Sequence, residues 1–90
     1  MLNTGNLNAA IEAAEREKTA ENYSTTLMHE LIALHPFLDG NKRTAIVAFK
    51  IAMKSNRAKS HLTDQELEEL AVHIAMGLGN LRQTRKRMRV

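Results

Sequence analysis

Nine consecutive residues, His35-Pro36-Phe37-Leu38-Asp39-Gly40-Asn41-Lys42-Arg43, bring together an imidazole, a carboxylate, a glycine, a carboxamide and two cations. Histidine titrates near neutrality, so His35 is a candidate general base. Asp39 is a candidate ligand for Mg2+, an ion that keeps several waters and takes one or two protein oxygens beside a phosphate. Gly40 lets an anion approach the backbone. The residues after it read as a first helical turn, where backbone N–H groups point outward and the dipole adds positive potential. Lys42 and Arg43 oppose that dipole, so their placement suits a bound anion better than it suits the helix. Arginine grips two phosphate oxygens at once, and lysine adds a point charge. A base, a metal ligand and a phosphate cradle are the parts that phosphoryl or nucleotidyl transfer requires. Singly, each residue has a plainer reading: a His before Pro is usually a loop residue, Asp-Gly a turn, and Lys or Arg a solvated charge. Their joint occurrence in so short a span outweighs those readings. Phe37 is structural under either, an aromatic ring that holds the loop to the core.

Helices must position this segment. Leu7, Ala10, Ile11 and Ala14 follow helical spacing and predict an amphipathic helix from Leu7 to about Lys18, after a polar lead-in over residues 1–6. Residues 19–23 read as a connector, and Leu27, Leu31 and Leu34 predict a second helix from Ser24 to about Leu34. Pro36 disfavours helix for the residue before it, so that helix should stop near Leu34 and leave His35 at the mouth of a loop. A third helix should run from Asn41 to about Ser55; Ala45, Ile46, Ala48, Phe49, Ala52 and Met53 make it apolar over most of its surface, the pattern of a central buried helix. Thr63 and Glu66 have capping-box spacing before the Leu67, Leu70, Ala71, Ile74 stripe of a fourth helix, which Gly77 and Gly79 end. A basic segment from Leu81 is a fifth helix or a tail. No alternating strand pattern or hairpin dipeptide occurs, so the fold class is all-α: a bundle of four to five helices with a central buried helix.

Ninety residues suffice for one modest core. With two Phe, one Tyr and no Trp, that core must be aliphatic. The domain should span residues 1–81, and 82–90 form a basic tail. The tail holds five cations, and without them the net charge of +3 becomes −2 for residues 1–81. Nucleic acid is not the expected partner, because a charged terminus is usually just solvated and no aromatic is interleaved for base stacking. With no cysteine there is neither a disulfide framework nor a thiolate metal site. The absence of a membrane-length apolar run or a signal-peptide layout predicts a cytoplasmic protein with no membrane partner. His29, His61 and His73 lack a metal-ligand spacing with one another; His29 and His73 read as helix-face residues, and the five Met as core filler.

The nine-residue segment resembles the signature of the Fic/Doc family, His-Pro-Phe-x-Asp/Glu-Gly-Asn-Gly/Lys-Arg. His35, Pro36, Phe37, Asp39, Gly40, Asn41 and Arg43 agree with it, and Thr44 and Ala45 extend the Gly-Asn-Lys-Arg-Thr-Ala form common in Doc-like members. The likeness covers roughly residues 5–77, more weakly outside the motif. It implies a compact Fic/Doc-type helical bundle and a role for each matched residue. His35 would deprotonate the target hydroxyl, Phe37 would anchor the loop, and Asp39 would ligate Mg2+. Gly40 and Asn41 would form the anion hole, and Arg43 would clamp the phosphates of ATP. Lys42 stands where adenylylating Fic proteins mostly have a second glycine and Doc-like toxins have lysine. The resemblance therefore implies a Doc-like toxin that transfers the terminal phosphate of ATP to a hydroxyl of a target protein, a translation elongation GTPase in that subgroup. Restraint would come from a separate antitoxin whose disordered tail folds onto the toxin, because the chain has no inhibitory Ser/Thr-x-x-x-Glu-Gly/Asn motif. Adenylylation (AMPylation) and a non-catalytic Fic-fold interaction module are the alternatives. The chain is short for the family; the resemblance leads one to expect a reduced or missing N-terminal helical part, and residues 19–23 are too few for the β-hairpin flap that usually aligns the target.

Overall fold

A computed structural model describes residues 3–35, 40–58 and 62–77. They form four helices and no strand: α1 (Thr4–Glu15), α2 (Ala20–Ala33), α3 (Asn41–Ser55) and α4 (Asp64–Ala75). None of these is long and apolar enough to cross a membrane. The expected fifth segment and the boundary between residues 81 and 82 lie outside the described residues.

Short polar side chains set the helix starts. The Asn3 side chain accepts from the Asn6 amide, so α1 begins within the expected lead-in. Thr19 accepts from the Asn22 amide, so α2 absorbs most of the expected connector. At α4 the capping box is complete: the Glu66 amide donates to Thr63 Oγ1 at 3.2 Å, and the Thr63 amide donates to Glu66 Oε1 at 3.0 Å. The ends of α2, α3 and α4 share another device, a residue of positive φ just past the cap: His35 at 46°, Arg57 at 57° and Gly77 at 72°. At α3 the Ala58 amide donates to the Met53 carbonyl and the Arg57 amide to the Lys54 carbonyl, the paired bonds of a Schellman motif.

Successive helices run antiparallel. Asn6 near the start of α1 meets Leu34 at the end of α2. The first half of α2 faces the second half of α3 across a cleft lined by Tyr23, Leu27, Ala48 and Ala52. Lys50 pairs with Asp64 at 2.8 Å, while Lys42 and Arg43 face Ala71 and Val72. One end of the bundle therefore carries the start of α1, the end of α2, the start of α3 and the end of α4.

The central helix is α2 rather than α3. It packs against all three others and buries Ser24, Thr25, Thr26, Met28, His29, Leu31 and Ile32. On α3 only Ala45, Phe49 and Met53 are buried, and Val47 and Ile51 are 49% and 60% exposed. Composition misleads here because the buried face of α2 contains small hydroxyls. Ser24 turns its Oγ back to the Ala20 carbonyl at 2.7 Å, so it enters the core with its polar group satisfied. The core joins Ala10 of α1, Met28, Leu31 and Ile32 of α2, Phe49 and Met53 of α3, and Leu67, Leu70, Ala71 and Ile74 of α4.

Two substitutions test this account. Thr63→Ala removes half of the capping box and should cost about 1 kcal/mol, lowering the melting temperature by roughly 4–8 °C in a domain of this size. Phe49→Ala empties a buried position and should cost about 3–5 kcal/mol. Thermal and urea unfolding followed by circular dichroism measure both; equal losses would mean that Phe49 is not the core anchor described.

Candidate active site at the α2–α3 reversal

The candidate residues lie where α2 ends and α3 begins. The Leu34 amide donates to the Glu30 carbonyl at 2.9 Å, closing α2, and His35 follows with φ 46° and an exposed side chain. The stop comes where Pro36 leads one to expect it, but the backbone of His35 turns left-handed instead of extended. Histidine tolerates that region better than most residues. The turn frees His35 from the helix and leaves its imidazole in solvent, where a general base must meet its substrate.

At α3 the N-cap is Gly40, with φ 77° and ψ 16°. A Cβ there would meet nothing within 4 Å, so glycine is required for its backbone angle rather than for space. The other three helices are each capped by a side-chain oxygen, whereas α3 has no side-chain cap bond. Nor is there an acid in its first turn. Asn41 is half-buried, and Lys42, Arg43 and Thr44 are exposed. The Thr44 amide donates to the Gly40 carbonyl at 2.9 Å, so Thr44 begins the intrahelical ladder. Dipole and cations add to one another, and the positive potential at this helix start has no acid on the same turn to cancel it. This donor set fits a phosphate. Phe37 and Asp39 lie outside the described residues, as do Pro36 and Leu38. Among the described residues no cluster of three or more His, Cys, Asp or Glu could hold a metal ion. A Mg2+ held by one carboxylate and phosphate oxygens needs no such cluster.

Beside the helix start, Lys42, Arg43, Ile46, Val47, Glu68, Ala71 and Val72 line a cleft of about 330 Å3 between α3 and α4. A larger cleft of about 680 Å3 lies at the opposite end of the α2–α3 pair, beside Thr19, Tyr23, Ala52 and Ser55. It contains none of the candidate residues. Size alone would favour it, but the cations and the left-handed residues of the candidate site lie at the other end.

Two details escaped the sequence reading. His29 is buried on α2 rather than lying on an open helix face, with its Nδ1 3.4 Å from Glu30 Oε1 and without a hydrogen-bond partner. His73 is half-buried on α4, and His61 lies outside the described residues. Asn6, within the expected lead-in, donates from its side-chain amide to the Leu34 carbonyl at 2.6 Å, next to His35. The Asn3–Asn6 spacing was the available signal for a helix start, but no local pattern announces a contact 28 residues away.

The α3 start makes opposite stability predictions for neighbouring residues. Lys42→Glu should stabilise the fold by about 0.3–1 kcal/mol, because an acid replaces a cation at the positive end of the dipole. Gly40→Ala should destabilise it by about 1–2 kcal/mol through the left-handed backbone. Urea midpoints decide; a loss of stability in Lys42→Glu would mean that Lys42 already has a compensating acid.

The profile of the Fic/DOC family matches residues 3–53. No curated protein and no solved structure matches the chain. The matched span covers more than half of the sequence, from the Asn3 cap of α1 to Met53, the last buried residue of α3, and includes the whole α2–α3 reversal: the chain belongs to the Fic/DOC family.

Proposed function

We propose that this chain is a Doc-like transferase that moves the γ-phosphate of ATP to a hydroxyl of a target protein with the help of Mg2+. The family in general transfers nucleotide or phosphate groups to proteins. The observation that carries the finer reading is the start of α3, where a left-handed glycine cap replaces a capping side chain and Lys42 and Arg43 follow in an acid-free turn. Lysine at position 42 is what Doc-like members carry where adenylylating members mostly have glycine, and this likeness favours transfer of the terminal phosphate over adenylylation.

His35 accepts the proton of the target hydroxyl through a ring nitrogen. The hydroxyl oxygen forms a bond to the γ-phosphorus as the bond to the bridging oxygen breaks, and ADP leaves. Arg43 holds phosphate oxygens, Lys42 offsets their charge, and Gly40 and Asn41 supply the anion hole. Asp39 would hold Mg2+, which neutralises phosphate charge when bound. Phe37 would fasten the loop to the core. A translation elongation GTPase is the proposed target, the cytoplasm the proposed setting, and a separate antitoxin the proposed restraint. In this reading residues 82–90 are a solvated basic tail outside the domain of residues 1–81, and neither nucleic acid nor a membrane is a partner.

The test is incubation of the protein and Mg2+ with a cell lysate and ATP labelled at either the α- or the γ-phosphate. γ-Label on a protein band is expected. α-Label would establish adenylylation instead, and neither label would leave a non-catalytic interaction module. His35→Ala should abolish transfer while ATP binding, measured by calorimetry, persists; loss of binding would show that His35 has been given the wrong role.

A further inference from the structure

We infer that Asn6 is a positioning residue for His35, acting through the peptide that joins Leu34 to His35. The inference rests on the reading of His35 as the base. The Leu34 carbonyl is among the last four of α2, which have no donor within their own helix. It is satisfied from α1, where Asn6 Nδ2 donates to it at 2.6 Å. The Leu34 oxygen and the His35 nitrogen share one planar unit, so fixing that oxygen fixes the plane from which His35 departs. His35 is exposed and has φ 46°. Little packing can hold its side chain, and its direction is set mainly by the backbone before it.

Asn6 is itself held at both ends. Its backbone amide donates to Asn3 Oδ1 at 2.9 Å, and its side chain is committed to Leu34. The start of α1 thus works as a bracket: Asn3 secures Asn6, and Asn6 secures the end of α2. A purely structural role, joining α1 to α2, predicts only a loss of stability on substitution. A positioning role predicts a loss of catalytic rate in a folded protein.

Asn6→Asp separates the two. It retains the backbone amide that Asn3 caps and places an acid in a first turn that has none, where the helix dipole favours it. It removes the side-chain donor and sets a carboxylate against the Leu34 carbonyl. On the full chain, the rate of γ-label transfer to lysate protein at saturating ATP should fall about 10- to 100-fold, the scale expected for a misplaced catalytic group. The ATP KM should stay within about 2-fold, as expected when ground-state binding is retained. In nitrogen-correlated NMR spectra, the imidazole signals of His35, assigned by their absence in His35→Ala, should move or broaden while those of His73 stay in place. An unchanged rate in folded Asn6→Asp overturns the inference. So do unmoved His35 signals, whatever the rate. If His35→Ala still transfers label, or the wild type transfers none, the functional reading fails instead, and the NMR comparison still decides whether Asn6 orients His35.

Discussion

The reversal between α2 and α3 is the constraint on which the rest depends. α2 ends at Ala33 and α3 begins at Asn41, and the two helices pack antiparallel along their lengths. The chain must reverse between the end of one helix and the start of the other. His35 and Gly40, one at each edge of the turn, both take left-handed backbone. The same geometry that lets the helices pack sets a solvent-exposed imidazole next in the chain to a positively polarised helix start. The packing of the two helices and the candidate site thus share one reversal of the chain.

That turn is carried by α2, a helix whose buried face is partly polar. Ser24, Thr25 and Thr26 allow close approach, and the Ser24 hydroxyl bonds within its own helix. Apolar side chains from α3 and α4 complete the core around Met28, Leu31 and Ile32. The open faces of Val47 and Ile51 show that α3 is apolar for reasons other than complete burial. The surface pair of Lys50 and Asp64 adds under about 1 kcal/mol, so the alignment of α3 with α4 comes mainly from Phe49, Leu67 and Leu70.

Most local signals in the sequence are legible, the caps of α1 and α2 excepted, and long-range ones are not. The Thr63–Glu66 box and the limits of α3 follow from near neighbours in the sequence, as does the stop near Leu34, which Pro36 predicts. The starts of α1 and α2 lie earlier than hydropathy predicts, because the polar residues Asn3 and Thr19 are helix caps rather than loop. The choice of α3 as the central helix failed because hydropathy treats a buried Ser or Thr as a surface residue. Within the candidate site, the cations, the glycine and the histidine were legible from their types and order. The Asn6 contact was not, since it exists only after α1 folds back along α2.

The succession of hairpins also bears on how the chain reaches its fold. Among the described residues, helix contacts run α1 with α2, α2 with α3 and α3 with α4, and α2 with α4 is the one substantial pairing that skips a neighbour. Such a topology has low contact order, and helical domains of that kind fold in about microseconds to milliseconds. Each hairpin can form from adjacent sequence, with α4 closing over α2 as the step of longest reach.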